Sequence, residues 1–486
     1  MVFSNAVFLF LFLPITLLVY YSPLCRKMRV RNIWLLIVSL GFYAWGEPVY
    51  ILLMMASVCV NWYLGRRVST VPKSDKGKRI VAIACIYNLG MLFVFKYLVW
   101  LLESFHLLSE GSALASLTLP IGISFYSFQA LSYVIDVYRG QEEAQKNILD
   151  VGLYIAFFPQ LIAGPIVRYG TIAAQLKERQ HSFDLFSAGA WHFVIGLSKK
   201  LLLANHLAVL AKMAFRRAPG ELSVALAWAG ALAFMLQIYF DFSGYSDMAI
   251  GLGKMFGFEF LENFNYPYIS RSISEYWRRW HISLGEWFRD YLYYPLALGP
   301  AVKVRKAAAK RFGRKRAAVI SSAFILLAVW MATGIWHGAN WTFVVWGLIQ
   351  FVFIFWEQRR KPLKNKKLGA ALGFVGTFLV VLATKVIFNA DSMSHAIRYY
   401  GSMLHLNGNA WADTYGLYWI GQYKIILAVG FVLAFPVLET IGKFCEKGRL
   451  CKVWGGIQVL GACALLALDI CYAVGGGYNP FIYFNF

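Results

Sequence analysis

Apolar segments separated by short polar stretches recur along the whole sequence. A transmembrane α-helix needs about 20 mainly apolar residues, so each segment of that length is a candidate span. The candidates lie near residues 6–22, 32–64, 80–102, 118–136, 148–163, 187–211, 223–253, 318–336, 339–357, 368–388, 423–441 and 454–474. The segment 32–64 is too long for one helix and Gly46-Glu47-Pro48 interrupts it, which favours two helices joined by a turn. The pattern predicts an all-α, polytopic membrane protein with about 11–12 transmembrane helices.

The composition narrows the class of protein. Of the 486 residues, 59% are hydrophobic and 15% are charged, which is too apolar for a water-soluble globular protein of this length. The net charge of +23 could indicate a nucleic-acid partner, but the Lys and Arg residues fall between the apolar segments. Cytoplasmic loops carry such residues and anionic lipids attract them, so we expect membrane lipids and no nucleic acid as partners. The seven cysteines show no Cys-x-x-Cys or Cys/His pattern, so no metal site is expected.

One region, from Asn263 to Pro295, departs from the pattern of apolar spans. Its stretch 270–284 mixes aromatic and cationic residues, which is typical of an amphipathic helix at the membrane interface. Ser272 and Glu275 have the spacing of a capping box, which predicts a helix start. A basic stretch follows, so we interpret 263–316 as an interfacial or cytoplasmic segment within a single membrane domain that covers residues 1–486.

The strongest candidate for chemistry is His337, which lies between two apolar segments and is flanked by glycines and tryptophans. An ionisable residue at membrane depth is costly and often marks a functional site. A neutral imidazole there could accept a proton from a hydroxyl group. A structural hydrogen bond or a place in a short outer loop would fit the same residue. We expect the neighbouring Trp336, Asn340 and Trp341 to line a substrate path.

His281 is a weaker candidate, because it follows two arginines on the basic segment, where contact with lipid phosphates is the alternative. Its neighbours Arg278 and Trp280 are further candidates for the lining of the site.

A polar cluster interrupts the apolar segment 223–253. Two of its carboxylates, Asp241 and Asp247, are six residues apart and would point to different faces of one helix, which argues against a paired acid/base site. A structural role, with bonds to arginines of 271–289, is the favoured interpretation. The residues of this cluster that we also consider as lining residues are Gln237, Asp241, Ser243 and Tyr245.

Several stretches, taken in order, resemble one known family. They are residues 1–4 with 8–14, 42–46, 119–129, 158–168, 241–251, 263–294, 334–346 and 479–484. The chain resembles the membrane-bound O-acyltransferases, and within them the bacterial alginate O-acetyltransferase branch. This resemblance implies a ring of tilted helices around a central funnel. It also implies that His337 is catalytic and that His281 is its partner.

The function implied by the resemblance is the transfer of an acetyl group from a cytosolic donor, acetyl-CoA, to a cell-surface polysaccharide at the bacterial cell membrane. The acceptor could be an alginate-like exopolysaccharide or peptidoglycan, an extracytoplasmic partner acyltransferase is expected, and no cofactor stays bound. Ala297-Leu298-Gly299-Pro300 and Asn389 depart from the alginate-type pattern and leave the polymer open.

Two alternatives remain at this stage. One is the transfer of D-alanine to teichoic acid from the thioester of an acyl carrier protein, which the basic loops could dock. The other is a non-enzymatic transporter, since broken helices with polar residues occur there too. The sequence shows no inverted repeat in support of a transporter.

Overall fold

The protein is all-α in the part of the chain that the structure, a computed structural model, describes. That part comprises residues 1–107, 112, 114, 117–361, 363–445, 450–475, 481 and 482. Its α-helices are α1 (Leu13–Tyr21), α2 (Met28–Gly46), α3 (Ile51–Ser69), α4 (Asp75–Leu92), α5 (Leu98–Ser104), α6 (Ile123–Arg139), α7 (Ile148–Ala156), α8 (Phe158–Leu161), α9 (Tyr169–Lys177), α10 (Phe183–Ser198), α11 (Asn205–Phe215), α12 (Val224–Met255), α13 (Ile273–Arg279), α14 (Ile282–Phe288), α15 (Tyr294–Leu298), α16 (Pro300–His337), α17 (Trp341–Glu357), α18 (Lys366–Asn389), α19 (Met393–Met403), α20 (Thr414–Leu433), α21 (Val437–Cys445) and α22 (Leu450–Gly475).

Short π-helical and 3-10 segments complete the secondary structure. The π-helical segments are Phe8–Phe12, Phe93–Tyr97, Lys199–Ala204 and Arg289–Tyr293, and the 3-10 segments are Pro23–Cys25 and Pro267–Ile269. The π-helical segments join their neighbours into longer continuous helices, such as Phe183–Phe215. The resemblance stretch 479–484 lies partly outside the described residues.

Seven helices within the described ranges are long and apolar enough to cross a membrane. They are Asp75–Ser104, Phe183–Phe215, Val224–Met255, Pro300–His337, Lys366–Asn389, Thr414–Leu433 and Val453–Gly475. Two shorter apolar helices, Phe8–Tyr21 and Trp341–Glu357, accompany them. The chain is therefore a multi-pass membrane protein, as the hydropathy pattern predicts.

The number of long spans is smaller than the number of apolar segments because several segments form short or interrupted helices. The segment 148–163 forms α7 and α8, which are separated at Phe157, where the backbone leaves the helical region (φ −57°, ψ 112°). Pro159 follows this break directly. Almost every residue of this segment is buried, so its apolar character reflects packing against protein on all sides. The predicted break inside 32–64 is confirmed, since α2 ends at Gly46 and α3 begins at Ile51.

The described chain forms two compact units. The first comprises residues 1–198, 244–262 and the described part of 464–485, and the second comprises 199–243 and the described part of 263–463. The single domain expected over 1–486 stays a prediction.

Aromatic side chains form much of the interior of the first unit. The rings of Phe3 and Phe8 have centroids 4.9 Å apart, and Phe42 lies 5.7 Å from Phe3. A polar group, Arg179, is also buried there and donates hydrogen bonds to Asn32 Oδ1 (2.8 Å) and Tyr20 Oη (3.2 Å). These bonds satisfy Nη1 and Nη2 of the buried guanidinium, whereas its Nε has no hydrogen-bond partner among the described residues.

In the second unit, α16 is a helical hairpin around Gly313. This glycine has φ 80° and ψ 162°, a conformation that a residue with a Cβ rarely adopts. Ser321 Oγ donates to the carbonyl oxygen of Ala301 at 3.0 Å. In one straight helix these two residues would lie about 30 Å apart, so the two halves of α16 must fold back on each other. The basic stretch before Gly313 therefore packs against the start of the apolar helix that ends at His337.

Candidate active site

His281 lies in the turn between α13 and α14, in an unusual backbone conformation. Its φ is 47° and its ψ is 54°, which is the left-handed region. Two backbone hydrogen bonds hold this turn, from Asn265 N to Arg279 O (2.9 Å) and from Ile282 N to Asn263 O (3.0 Å). A residue with a side chain adopts this region at some cost, and such positions cluster at functional sites.

The side chain of Asn263 fixes the tautomer of His281. Asn263 Oδ1 accepts hydrogen bonds from the Ser283 backbone N–H (3.1 Å) and from Ser283 Oγ (2.9 Å). Because a backbone N–H can only donate, the atom in this position must be the amide oxygen. His281 Nδ1, at 3.2 Å from the same oxygen, must then donate as well. In the neutral imidazole, Nε2 consequently carries the lone pair and can accept a proton or a hydrogen bond.

Burial keeps His281 neutral. Its side chain is 1% exposed, and removal from solvent lowers the pKa of the imidazole from its ordinary value of 6.5 to about 3. Desolvation disfavours the charged form of a histidine. Nε2 therefore keeps its lone pair, unprotonated, at any physiological pH.

His337 ends α16 and is surrounded by aromatic rings. It is 2% exposed, and the ring centroids of Trp336, Trp346 and Phe388 lie 5.1, 5.1 and 5.2 Å from that of the imidazole. Each of these rings meets the imidazole at a steep angle. The rings exclude water from the site and restrict the orientation of His337.

The position of His337 depends on close contact between α16 and α17. A Cβ at Gly334 would lie 2.5 Å from the Phe343 carbonyl oxygen, and a Cβ at Gly347 would lie 2.5 Å from the Trp330 carbonyl oxygen. Only glycine permits this distance between the two helices. The helix N-cap beyond His337 is Asn340, whose Oδ1 accepts from the Thr342 N–H at 3.0 Å.

Trp336 brings the two histidines into one site. Its ring centroid lies 5.9 Å from that of His281 and 5.1 Å from that of His337. The ring of His281 also meets that of Phe242 edge-on, with centroids 4.7 Å apart. The two imidazoles thus share one buried aromatic environment, although they come from different elements of the chain.

A cavity of about 430 Å³ opens beside His281, between α13–α14 and α16. Its size lies in the range of small-molecule binding sites. Its lining combines tryptophans with charged residues and comprises Ser274, Trp277, Arg278, His281, Ile282, Leu284, Gly285, Glu286, Phe288, Arg289, Val329, Trp330 and Thr333. Thr333 lies one helical turn before His337, so the cavity extends along the helix that carries this histidine.

Comparison with known proteins identifies the family. The family of membrane-bound O-acyltransferases, MBOAT, matches residues 144–389, about half of the chain, and this range contains both histidines. The chain belongs to the membrane-bound O-acyltransferase family. The resemblance found in the sequence is thereby confirmed.

Three relatives of this O-acyltransferase illustrate its range. A probable alginate O-acetylase, AlgI, of Azotobacter vinelandii is 40% identical over 91% of this chain and 85% of its own length. A peptidoglycan O-acetyltransferase of Helicobacter pylori is 28% identical over 100% of this chain and 98% of its own length. A teichoic acid D-alanyltransferase of Bacillus subtilis is 27% identical over 57% of this chain and 70% of its own length. Family membership favours an acyltransferase over the transporter considered above.

The other predicted lining residues of this O-acyltransferase have different surroundings. Trp280 is 1% exposed, and Arg278 lies exposed at the cavity, where its guanidinium makes no hydrogen bond or ion pair with a described residue. Asn340, besides capping α17, donates from Nδ2 to the Asp391 carbonyl oxygen at 3.0 Å. Trp341 is 54% exposed. That these four residues line a substrate path stays a prediction.

The polar cluster of α12 is divided between the two units. In the second unit, Gln237 is half-buried and Ser243 is buried with an Oγ that has no hydrogen-bond partner among the described residues. In the first unit, Tyr245 is buried and stacks on Phe3, with ring centroids 4.7 Å apart. The structure therefore assigns Tyr245 a packing contact, and its role in lining a path stays a prediction.

Asp241 has a buried cationic partner that the sequence did not indicate. Lys200 Nζ lies 2.5 Å from Asp241 Oδ1, and both side chains are almost completely buried. The favoured sequence interpretation paired this carboxylate with arginines of 271–289. The sequence did contain a signal for this ion pair. Lys200 is a basic residue within the apolar segment 187–211, where a charge without a partner of opposite charge would be costly.

Asn263 is another site residue that the sequence did not single out. It begins the segment interpreted as interfacial, and its side chain is 1% exposed. No local sequence pattern indicates that the side-chain oxygen of an Asn accepts hydrogen bonds from residues distant in the chain. The only signal was its position at the start of the stretch that contains His281. Among the described residues no cluster of His, Cys, Asp and Glu could hold a metal ion.

Proposed function

We propose that this O-acyltransferase transfers an acetyl group from cytosolic acetyl-CoA to a hydroxyl group of a cell-surface polysaccharide, in the plasma membrane of a bacterium. The observation that carries the proposal is the pair of buried imidazoles, His281 and His337, in contact with the single ring of Trp336. Neutral imidazoles in a water-poor site can act as general bases toward a hydroxyl group.

In the proposed reaction, His337 takes the proton of the acceptor hydroxyl. The oxygen attacks the thioester carbonyl carbon, a C–O bond forms, and the carbonyl π electrons move to its oxygen. The C–S bond then breaks, and the departing thiolate receives the proton from His337. His281, as the partner, accepts a hydrogen bond at Nε2 from a substrate donor and orients it. The burial of both groups limits hydrolysis of the donor by water.

The cavity beside His281 suits the thioester arm of such a donor. Trp277 and Trp330 provide apolar walls for an uncharged chain, and the guanidinium group of Arg278 can contact phosphate groups at the exposed side. Arg289, also in the lining, is paired with Asp290 and Glu286. The basic residues that precede Gly313 belong to the same unit and favour an anionic donor or anionic lipid headgroups. These features support acetyl-CoA as the donor.

The acceptor is proposed from the relatives. Alginate and peptidoglycan, named for two of them, are both polysaccharides with free hydroxyl groups. An extracytoplasmic partner acyltransferase would supply the acceptor hydroxyl at the membrane site and pass the acetyl group on to such a polymer. Departures near residues 297–300 and at Asn389 keep the choice of polymer open.

The test uses a deletion strain complemented with wild-type protein, His337→Ala or a control, His405→Ala. His405 lies in the same unit and is exposed, with its ring stacked on Trp411. The measurement is the content of O-acetyl and ester-linked D-alanyl groups in the surface polymers. We expect O-acetyl groups to be lost in the deletion strain and restored by wild type and His405→Ala only.

Two other results would change the proposal. Loss of D-alanyl esters instead would indicate transfer from a carrier-protein thioester, the reaction named for the Bacillus subtilis relative. Full acetylation in the presence of His337→Ala would exclude the proposed role of this histidine.

A further inference from the structure

A lysine lies buried against two aromatic rings that neighbour the histidines in the fold or in the chain. Lys385, on α18, is 3% exposed, and it makes no hydrogen bond or ion pair with any residue that the structure describes. It lies within Lys366–Asn389, one of the helices long and apolar enough to cross the membrane. A cationic side chain in that position is costly and marks a functional site by default.

The surroundings of the Lys385 amine are aromatic. Nζ lies 4.2 Å from the ring centroid of Trp280 and 5.1 Å from that of Phe388. Both distances are within the range of cation–π interactions. The negative faces of these rings favour the ammonium form and hold it in one place.

These two rings are also neighbours of the histidines. Trp280 directly precedes His281 in the chain, and the Phe388 ring contacts His337, with centroids 5.2 Å apart. Lys385 therefore contacts one ring that also contacts His337, and a second ring that belongs to the residue before His281. The three groups belong to the same unit of the protein.

The aromatic contacts stabilise the ammonium group only in part. A desolvated cation–π contact stabilises an ammonium group by less than the cost of burying its charge without a hydrogen-bonded counter-charge. An apolar side chain of similar length would satisfy the same space at lower cost. Groups that lower stability in this way persist at sites where function depends on them.

We propose that Lys385 is the electrostatic group that stabilises the negative charge formed during acyl transfer at the His281–His337 site. This inference rests on the proposed function. When the acceptor oxygen attacks the thioester carbonyl, the π electron pair moves to the carbonyl oxygen, and the proton moves to His337. The resulting oxyanion is attracted to the fixed ammonium group until the C–S bond breaks and the pair returns. In a water-poor site this attraction is much stronger than in solvent.

A sequence signal for Lys385 existed. It is the only charged residue in the predicted span 368–388, and it precedes Phe388 by three residues. A lone cation in an apolar segment does not reveal its neighbours, so only the folded chain shows that Trp280 and Phe388 surround it.

The test compares Lys385→Met with wild type in inverted membrane vesicles supplied with radiolabelled acetyl-CoA, with rates normalised to the amount of protein. Methionine keeps an unbranched side chain, one atom shorter than lysine, and removes the charge. We expect kcat to fall by about 100-fold or more, as for the removal of an oxyanion donor, with the KM for acetyl-CoA nearly unchanged. The unfolding temperature in detergent should stay the same or rise, because a buried charge is removed.

Lys424→Met is the matched control. Lys424 lies on α20 in the same unit and is exposed, so its loss removes the same charge without changing the site. We expect wild-type kcat for this variant. A kcat of Lys385→Met within about threefold of wild type would overturn the inference, since electrostatic stabilisation is a larger effect.

Lys385→Arg separates charge from packing if the Met variant accumulates poorly. Arginine keeps the positive charge but enlarges the side chain, so we expect it to recover part of the activity lost in Lys385→Met. Equal activity of the Arg and Met variants would also overturn the inference. His337→Ala in the same vesicles tests the proposed function by itself. If this variant is active, the proposed role of His337 and the inference about Lys385 are both rejected. If it is inactive while Lys385→Met is active, only the role of Lys385 is rejected.

Discussion

The two histidines of the site are held by different kinds of interaction. His281 lies in a strained turn, and Asn263 and Ser283 form a polar network that fixes its Nδ1 as a donor. His337 lies at the end of a long helix, where aromatic rings and a close contact between α16 and α17 surround it. One imidazole is oriented by hydrogen bonds and the other by packing.

This difference suggests a division of roles. The hydrogen-bonded network determines which nitrogen of His281 carries the lone pair. A residue that orients a substrate by accepting a hydrogen bond requires this. Aromatic packing excludes water and places His337 without specifying such a network, which favours a base that changes its proton during the reaction. The predictions below test each support separately.

Removal of the His337 imidazole should have the largest effect. We expect His337→Ala to lower the rate of acetyl transfer by about 1000-fold, the middle of the range for loss of a general base. The rate in inverted vesicles checks this expectation, with His405→Ala as the control. Comparable losses in both variants would indicate a general effect on folding and not on chemistry.

Removal of the polar support of His281 should have a smaller effect. Asn263→Ala leaves Nδ1 without its acceptor, so the imidazole can rotate or change tautomer, and we expect kcat to fall by about 100-fold. Asn263→Asp keeps an acceptor oxygen and should retain more activity than the Ala variant. Equal losses in the two variants would show that the acceptor is not what matters at this position.

Disturbance of the packing support of His337 should show first in stability. Gly334→Ala places a Cβ against the Phe343 carbonyl oxygen, and we expect the free energy of unfolding to fall by about 1–3 kcal/mol. The control is Gly376→Ala, on exposed α18 surface with open space around the added Cβ, which should not destabilise. Thermal unfolding in detergent distinguishes the two. A stable Gly334→Ala protein would mean that the two helices can move apart freely.

The last expected effect, which is absent near neutral pH and grows as pH falls, is the pH dependence of stability contributed by His281. Its pKa is about 3 in the folded protein, below the ordinary 6.5, so between these values only the unfolded chain binds the proton. The free energy of unfolding should therefore fall as pH falls from about 6.5 towards about 3, by at most about 1.4 kcal/mol per pH unit, and the full contribution is present above about 6.5.

The comparison of His281→Gln with wild type at about pH 7.5 and about pH 5 isolates this contribution. His181, whose pKa is also lowered, to about 4, is present in both proteins and cancels. We expect the unfolding temperature of the variant to depend less on pH. An equal dependence in both proteins would contradict the neutral state of His281.

Much of the fold could be predicted because hydropathy is a local property. The break between α2 and α3 follows from a segment too long for one helix with Pro48 inside it. By contrast, hydropathy alone does not separate α7 from α8 within 148–163, since an apolar segment buried by protein has the same composition as one buried by lipid. The hairpin at Gly313 was missed for a related reason: the positive φ of a glycine is visible only in three dimensions.

The sequence by itself determined the membrane class, the segments that form helices and the prominence of His337, because length, polarity and flanking residues are all read within a few positions. The tertiary structure alone decided which side chains meet. It placed Trp336 against His281, Asn263 on its Nδ1, Lys200 on Asp241 and Lys385 between Trp280 and Phe388. Such contacts join residues that are distant in the chain, and they arise from helix packing that no local pattern specifies.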